Sequence, residues 1–472
     1  MKDNHYDVII IGAGLSGLSA ATRLGMFGKK VLLLEKHYVV GGLNSFYAKG
    51  GKKFDVGLHA LTNFPSEYSG KKSPLLKLCR QLRIPYESLD LQPQSFSKIS
   101  FAEQTLKFNN DFDFFISEVE AHFPSSIEAF SNLLKMMEEF PAYSTDAKEL
   151  STRKILKNSG IDPLLAEMLL CPTCYYGSAR SNDIDFPTFV MLFDAIFKQG
   201  LARPTRGIRA ILDPLCNKLK ELGVERRMNC SVKKLHFKND RIEEVELESG
   251  ESITSEQVIS TCGAIETESM LGTPEDKKFN AEVGQFTIIE SIAVIKGNPK
   301  DYDWKETVVF FNDSETFHYQ CPDDYVDIRS GVICIPENYQ SDSDNKEFKL
   351  RITHPANFQK WDGLTKDSYI QKKRDYEEKI FKNGLNYIAN SKFSLNSFSE
   401  NILVRDTFTP KTVKRFTSHE NGTLYGSPTK TRDGSTLFKN LFLAGTDQGY
   451  IGIVGAMLGG IAIANNRILR SN

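Results

Sequence analysis

Apolar and polar positions along the chain follow three rhythms. Short unbroken apolar runs, Val8 to Ile11, Val31 to Leu34, Val258 to Ile259 and Leu441 to Ala444, read as buried strands. Helical spacing follows from Leu18 to Leu24, from Phe112 to Phe123, from Ile127 to Phe140 and from Ile208 to Leu219. Pro214 lies inside the last of these and implies a kink or an early break. Glu225 to Val232 reads as a strand. After a turn at Asp240, Ile242 to Leu247 alternates as half of a hairpin, closed by Glu248 to Glu251. Thr287 to Ile289, Ser291 to Ile295, Thr307 to Phe311 and Val332 to Ile335 are further candidate strands.

Glycines punctuate the first strand in a way that carries chemistry. Gly12, Gly14 and Gly17 join the run ending at Ile11 to the helix that follows. Gly12 permits the tight turn, Gly14 lets backbone approach a pyrophosphate, and Gly17 lets the helix pack close to the sheet. The helix N-terminus then holds phosphate through free N–H groups and its dipole. Glu35 ends the next apolar strand, where a carboxylate accepts from ribose hydroxyls. A lone glycine triplet is a weak signal; strand, turn, helix, strand and acid together specify a dinucleotide site.

Other phrases decide which dinucleotide. Gly41 and Gly42 follow Glu35, and Phe54 to His59 comes soon after. Near the other end, Leu441 to Asp447 runs into a glycine-rich turn and helix from Gly449 to Gly460. This second strand–glycine–helix element suits the flavin end of a cofactor, its helix N-terminus aimed at a developing anion.

Taken together, these phrases resemble the phytoene-desaturase-type flavoproteins, nearest to the retinol saturase and carotenoid isomerase branch, within the flavin amine oxidase superfamily. The middle of the chain is looser, chiefly Arg203 to Ile208, where Arg206 replaces the first glycine of the usual Pro-x-Gly-Gly. The resemblance implies an α/β fold: a Rossmann-like FAD-binding domain, a mixed sheet with helices, interleaved with an α+β substrate domain. It also implies FAD contacts at Gly12, Ala13, Gly14, Leu15, Ser16 and Gly17, at Glu35, Lys36, Gly41, Gly42, Leu43 and Asn44, and at Leu58 and His59. Further contacts follow at Val232, where backbone meets adenine, at Thr261 and Cys262, and at Gly445, Asp447, Ile453, Val454 and Ala456. His59 and Tyr450 are the candidates for catalysis. The first would position substrate or stabilise reduced flavin as a charged donor, against a packing role for its side chain; the second would cap the flavin face.

The chain of 472 residues exceeds one simple core. The FAD domain is expected from 1–65, 205–275 and 437–472, and the substrate domain from 66–204 and 276–436. With 32 phenylalanines and 17 tyrosines there is ample surface for a hydrocarbon slot, although aromatic stripes more often build core. A formal charge of −1 gives no electrostatic case for nucleic acid. Eight scattered cysteines, and no signal peptide before the first strand, favour a cytoplasmic setting. Gln448 to Asn466 carries no charge but is broken by glycines, so a cofactor helix is preferred to a membrane span. Peripheral membrane contact through Phe189 to Phe193 and Ile196–Phe197 stays open beside core or tunnel lining.

Cys171 and Cys174 lack a thioredoxin-like or zinc context, so buried thiols are the expectation and no metal is assigned. Arg203, Arg206 and Lys430 read as solvated or salt-bridged bases. No catalytic triad or paired carboxylate is arguable from spacing, which fits chemistry carried by flavin. The leading expectation is an FAD-dependent oxidoreductase that desaturates, saturates or isomerises carbon–carbon bonds of a lipophilic isoprenoid or polyene, with an unidentified electron donor or acceptor. A flavin amine oxidase and a non-enzymatic, prenyl-binding escort protein are the alternatives.

Overall fold

The computed structural model describes residues 4–65, 73–272, 278–279, 281–339, 346–388 and 395–470. Two seven-stranded sheets organise them. In the first, His5–Ile11 lies between Val31–Leu34 and Ser252–Ser260, all parallel. Glu225–Arg227 and Leu441–Leu443 extend the parallel part on its two sides. Ile9 pairs with Val258 and with Leu32, all three wholly buried, which is why these strands read as unbroken apolar runs. An antiparallel hairpin, Val232–Lys238 and Arg241–Leu247, continues from Ser252–Ser260. The expected limits at 66 and 276, and the chain ends, lie outside the described residues.

Two local expectations need correction. Glu225 to Val232 is not one strand: Asn229 has φ +52°, and this left-handed residue turns the chain before Val232 opens the hairpin. Pro214 does not break its helix, which runs from Arg209 to Glu221. The proline removes one hydrogen bond near the start, to Ala210, while Ile211, Leu212, Leu215 and Leu219 stay buried along one face.

The second sheet runs Ile402–Phe408, Thr287–Lys296, Glu347–Ala356, Ser330–Cys334, Val308–Asn312, Ser97–Phe101, Gln104–Phe108. Only the pair Val308–Asn312 with Ser97–Phe101 is parallel. Thr287 to Lys296, expected as two strands, is one strand, buried on both faces as far as Ile295. Helices Phe112–His122, Ile127–Glu139 and Phe186–Phe193 close on a phenylalanine core, where Phe115 stacks on Phe197 at 4.5 Å. Phe189, Phe193, Ile196 and Phe197 are completely buried there. They are core, each contributing about 2–3 kcal/mol of apolar burial, and not a lipid contact.

The helix Gly452–Ile463 lies across the first helix, Leu15–Gly25. A Cβ at Gly460 would stand 2.1 Å from the Ser16 carbonyl oxygen, so only glycine allows this approach. Among the described residues one helical stretch, Gly452–Leu469, is long and apolar enough to cross a membrane, and half of it is buried in the protein.

Candidate active site

A cavity of about 680 Å³ runs from the glycine turn of the first sheet to the face of the second. At its first end Gly12 adopts φ +100°, and Thr261 Oγ1 occupies the place of a Cβ, 2.5 Å away. Gly17 rests on this turn, its hypothetical Cβ only 2.0 Å from Gly12 O. Gly14 differs: nothing lies within 4 Å of a Cβ there, because it faces the cavity. The helix from Leu15 has no side-chain cap and no acid in its first turn, which leaves its N–H groups free. The Ser16 hydroxyl, in the same turn, is buried without a partner among the described residues. Open glycine, free amides and an unpaired hydroxyl make a cradle suited to a diphosphate.

Glu35 borders this end, its Oε2 accepting from Ala13 N at 2.7 Å and its Oε1 from His37 N at 2.9 Å. Further lone pairs remain for hydroxyl donors. Across from it, Val232 and Thr261 line the wall with Cys262, whose thiol burial, with Glu35 and Glu266, pushes up to about 12. Lys36 donates to Ser418, and the His37 ring lies 5.1 Å from Phe416. These contacts lay the short helix Pro410–Thr417 along the cavity.

Aromatic and aliphatic groups line the second end: Tyr175, Tyr176, Phe286, Ile288, Phe310, Val332, Phe408 and Tyr425. Tyr425 donates to the Tyr175 carbonyl, and Tyr175 Oη pairs with Ser330 Oγ at 2.7 Å. Tyr450 forms wall both here and in a neighbouring cavity of about 610 Å³. Lys36, at the far end, is the one lysine among the lining residues.

His59 sits between the two ends. Its Nε2 is 3.1 Å from Glu290 Oε1, and Arg351 Nε reaches the same oxygen at 2.5 Å. Burial alone would raise the Glu290 carboxyl, but Arg351 and His59 hold it at about 2. For His59, burial outweighs Glu290 and lowers its pKa from the ordinary histidine value. The backbone beneath is clamped: Arg203 donates to Leu58 O and His59 O and pairs with Asp55 at 2.7 Å, while Arg351 donates to Leu58 O and Val56 O.

Most residues named from sequence meet in this cavity, but Ala13, Gly17, Leu58, Asp447 and Val454 do not line it. Ala13 N–H is taken by Glu35 and its carbonyl by Gly41 N, and Leu58 O by the two arginines. Asp447 is satisfied by Ala264 N at 2.6 Å and Ser427 N at 2.9 Å, with Lys430 Nζ 3.6 Å away. Val454 faces the neighbouring cavity. Glu290, Thr353 and the Pro410–Thr417 helix were missed. A carboxylate inside the apolar run Thr287 to Ile295 was the available signal for the first. Cys171 and Cys174 are buried, free thiols on the helix Pro163–Gly177.

The model of the family described as flavin containing amine oxidoreductase matches residues 15–466. Prolycopene isomerase of Arabidopsis thaliana is 23% identical over 464 residues, covering 91% of this chain and 76% of that protein. Human all-trans-retinol 13,14-reductase is 47% identical over 53 residues, covering 11% and 9%. The crystal structure of an oxidoreductase from Methanosarcina mazei aligns with a TM-score of 0.66 at 15% identity, covering 97% of this chain and 100% of that one. The chain belongs to the flavin containing amine oxidoreductase family. It is an FAD-dependent oxidoreductase with a Rossmann-like α/β fold.

Proposed function

We propose that this enzyme uses FAD to desaturate, saturate or isomerise carbon–carbon bonds of a lipophilic isoprenoid or polyene. The observation that carries the reading is the second end of the cavity, where aromatic and aliphatic side chains from both sheet and helices form a long apolar wall. The prolycopene isomerase and retinol reductase similarities support the same substrate class.

In this reading the Leu15 helix N-terminus, Gly14 and Ser16 hold the diphosphate, and Glu35 accepts from the ribose. Thr261, Gly445, Ile453 and Ala456 flank the flavin half. Bound FAD supplies the electron-pair chemistry. The chain orients an allylic or conjugated carbon and keeps the site dry, with Tyr175, Tyr176 and Phe310 packing along the substrate. Tyr450 closes the wall toward the neighbouring cavity. An unidentified carrier returns the electrons.

Amine oxidation has less support. The charges about His59 are matched, Arg351 by Glu290 and Arg203 by Asp55, which leaves no free carboxylate there for an ammonium.

The test is an anaerobic flavin spectrum taken while polyenes are added to oxidised and then to chemically reduced enzyme. Bleaching of oxidised flavin means desaturation, and reoxidation of reduced flavin means saturation. Product analysis for geometric isomers covers the redox-neutral case. No spectral change and no new isomer, with amines turned over instead, would overturn the polyene reading.

A further inference from the structure

The first cavity has to seat the cofactor as well as the substrate. Its volume of about 680 Å³ starts at the diphosphate cradle and Glu35, which leaves only the second end for a substrate. The neighbouring cavity of about 610 Å³ adjoins that end, and Thr62, Tyr450 and Ile451 are wall to both. One helix, Gly452–Ile463, also serves both. Ile453 and Ala456 line the first cavity, and Leu458, Ile461 and Ala462 line the second. The Tyr450 ring lies along the glycine face of this helix, where a Cβ at Gly459 would stand 3.5 Å from Cδ2. Among the described residues no hydrogen bond holds its hydroxyl.

Irregular helix shapes the second cavity. Among the described residues two helical turns are π-helical, Asp194–Lys198 and Ala464–Leu469. Gln199 N closes the first on Asp194 O at 2.9 Å, and Arg470 N closes the second on Asn465 O at 3.1 Å. Both turns border this cavity, through Asp194 and Ala195 and through Asn465. Single π turns are rare and recur at functional sites. The polar groups of the wall are spent on one another. Thr62 donates to Asn63 at 3.1 Å, Asn63 to Gln199 at 3.3 Å and Gln199 to Asp194 at 3.0 Å, while Asn465 accepts from Arg23 at 2.8 Å. Lys198 Nζ, 3.8 Å from Asp194, matches its charge, and Lys77 and Asn466 are exposed to solvent. Paired amides between Met191, Leu192, Val454 and Leu458 suit a hydrocarbon chain and give an ion no buried partner.

We propose that the second cavity receives the far end of a long substrate whose reacting carbons lie in the first, and that Tyr450, turning on the glycine face of its helix, admits or stops the chain. This rests on the polyene reading above. A short chain ends at Tyr450. A long one displaces the ring and buries its end against Met191, Leu192 and Leu458, so affinity rises with each methylene beyond that point. Tyr450 is then the residue that determines specificity for length.

The experiment uses the FAD-loaded enzyme and two colourless isoprenoid alkanes, phytane and the longer lycopane, with binding read from perturbation of the flavin absorption. Analogues of both with a terminal diazirine, photolysed on the enzyme and mapped by mass spectrometry, report where each end lies. The long chain should label Met191, Leu192 or Leu458, and the short chain only residues of the first cavity. Ala462→Phe, which fills the second cavity alone, should weaken lycopane about tenfold and leave phytane binding and FAD content unchanged. Tyr450→Trp, a bulkier stop, should weaken lycopane by a similar factor. Labelling by the long chain confined to the first cavity, or lycopane affinity unmoved by Ala462→Phe or by Tyr450→Trp, overturns the inference and leaves the polyene reading standing. Labelling of the second cavity by the short chain makes that cavity a separate site and overturns it as well. If neither alkane nor any polyene binds, the polyene reading falls and the inference with it. Should Ala462→Phe fail to load FAD, the wild-type labelling still decides.

Discussion

Arg203 and Arg351, far apart in the chain, donate to one and the same carbonyl oxygen, that of Leu58. Each is more than nine-tenths buried, and each is neutralised by its own carboxylate, Asp55 for Arg203 and Glu290 for Arg351. The segment from Asp55 to His59 is thus held from two sides by charge-assisted bonds in a dry interior.

Removing one member of such a pair leaves the other charge buried and alone. Arg351→Met is expected to cost about 3–5 kcal/mol of folding stability, and Arg351→Met with Glu290→Leu to recover much of it. Denaturant melts of the single and double variants are the check. A double variant no more stable than the single would refute the pairing argument.

His354 gives a pH dependence of known sign. Burial lowers its pKa to about 4; Nδ1 donates to Ser330 O at 2.7 Å, and Nε2 is buried without a partner among the described residues. An unfolded histidine titrates near 6.5, so between pH 6.5 and 4 the unfolded chain binds a proton that the folded one refuses. The stabilisation is fully present above 6.5 and is lost as pH falls to 4, by about 3 kcal/mol. Against wild type, His354→Gln should flatten the stability profile across that window. Parallel profiles would refute it.

The two glycines flanking Ser16 should fail differently. Gly17→Ala drives a Cβ into Gly12 O and should destabilise the apoprotein by about 1–3 kcal/mol. Gly14→Ala meets nothing in the protein, so the apoprotein should melt normally while FAD binds roughly tenfold more weakly. Apoprotein melting and FAD titration separate the two; normal FAD affinity in Gly14→Ala would remove the diphosphate from this place.

Cys171 and Cys174 are wholly buried, and burial raises both thiols well above their ordinary range. Native protein should give its fast thiol labelling at the partly exposed Cys216, Cys230 and Cys321 instead. Mass mapping after brief alkylation is the measurement. Early modification at Cys171 or Cys174 would contradict it.

What the sequence made legible is what local spacing encodes. Gly12, Gly14, Gly17 and Glu35 belong to one strand–helix–strand unit, so their roles follow from distances along the chain. Facing was harder. Ile453 and Ala456 meet the cavity and Val454 turns away, because one residue's step around a helix changes its side. The short phrase Gly445 to Asp447 concealed two different jobs, one facing the cavity and one tying Ala264 to Ser427. Glu290 and Arg351 meet only through the antiparallel pairing of their strands, which aligns Ile292 with Arg351 and Ser291 with Ile352. No periodicity in either strand announces that register.

The contact of Gly460 with Ser16 bears on when the protein can become an enzyme. The first helix and its glycine turn are translated well before the strand Leu441–Leu443 and the helix that covers them. Until those leave the ribosome, the first sheet lacks its strand beside Ser252–Ser260 and the cradle lacks a wall. Flavin loading therefore waits for residues 441–463, and until they emerge the nascent chain is an open, cofactor-free intermediate with much of its apolar interior uncovered.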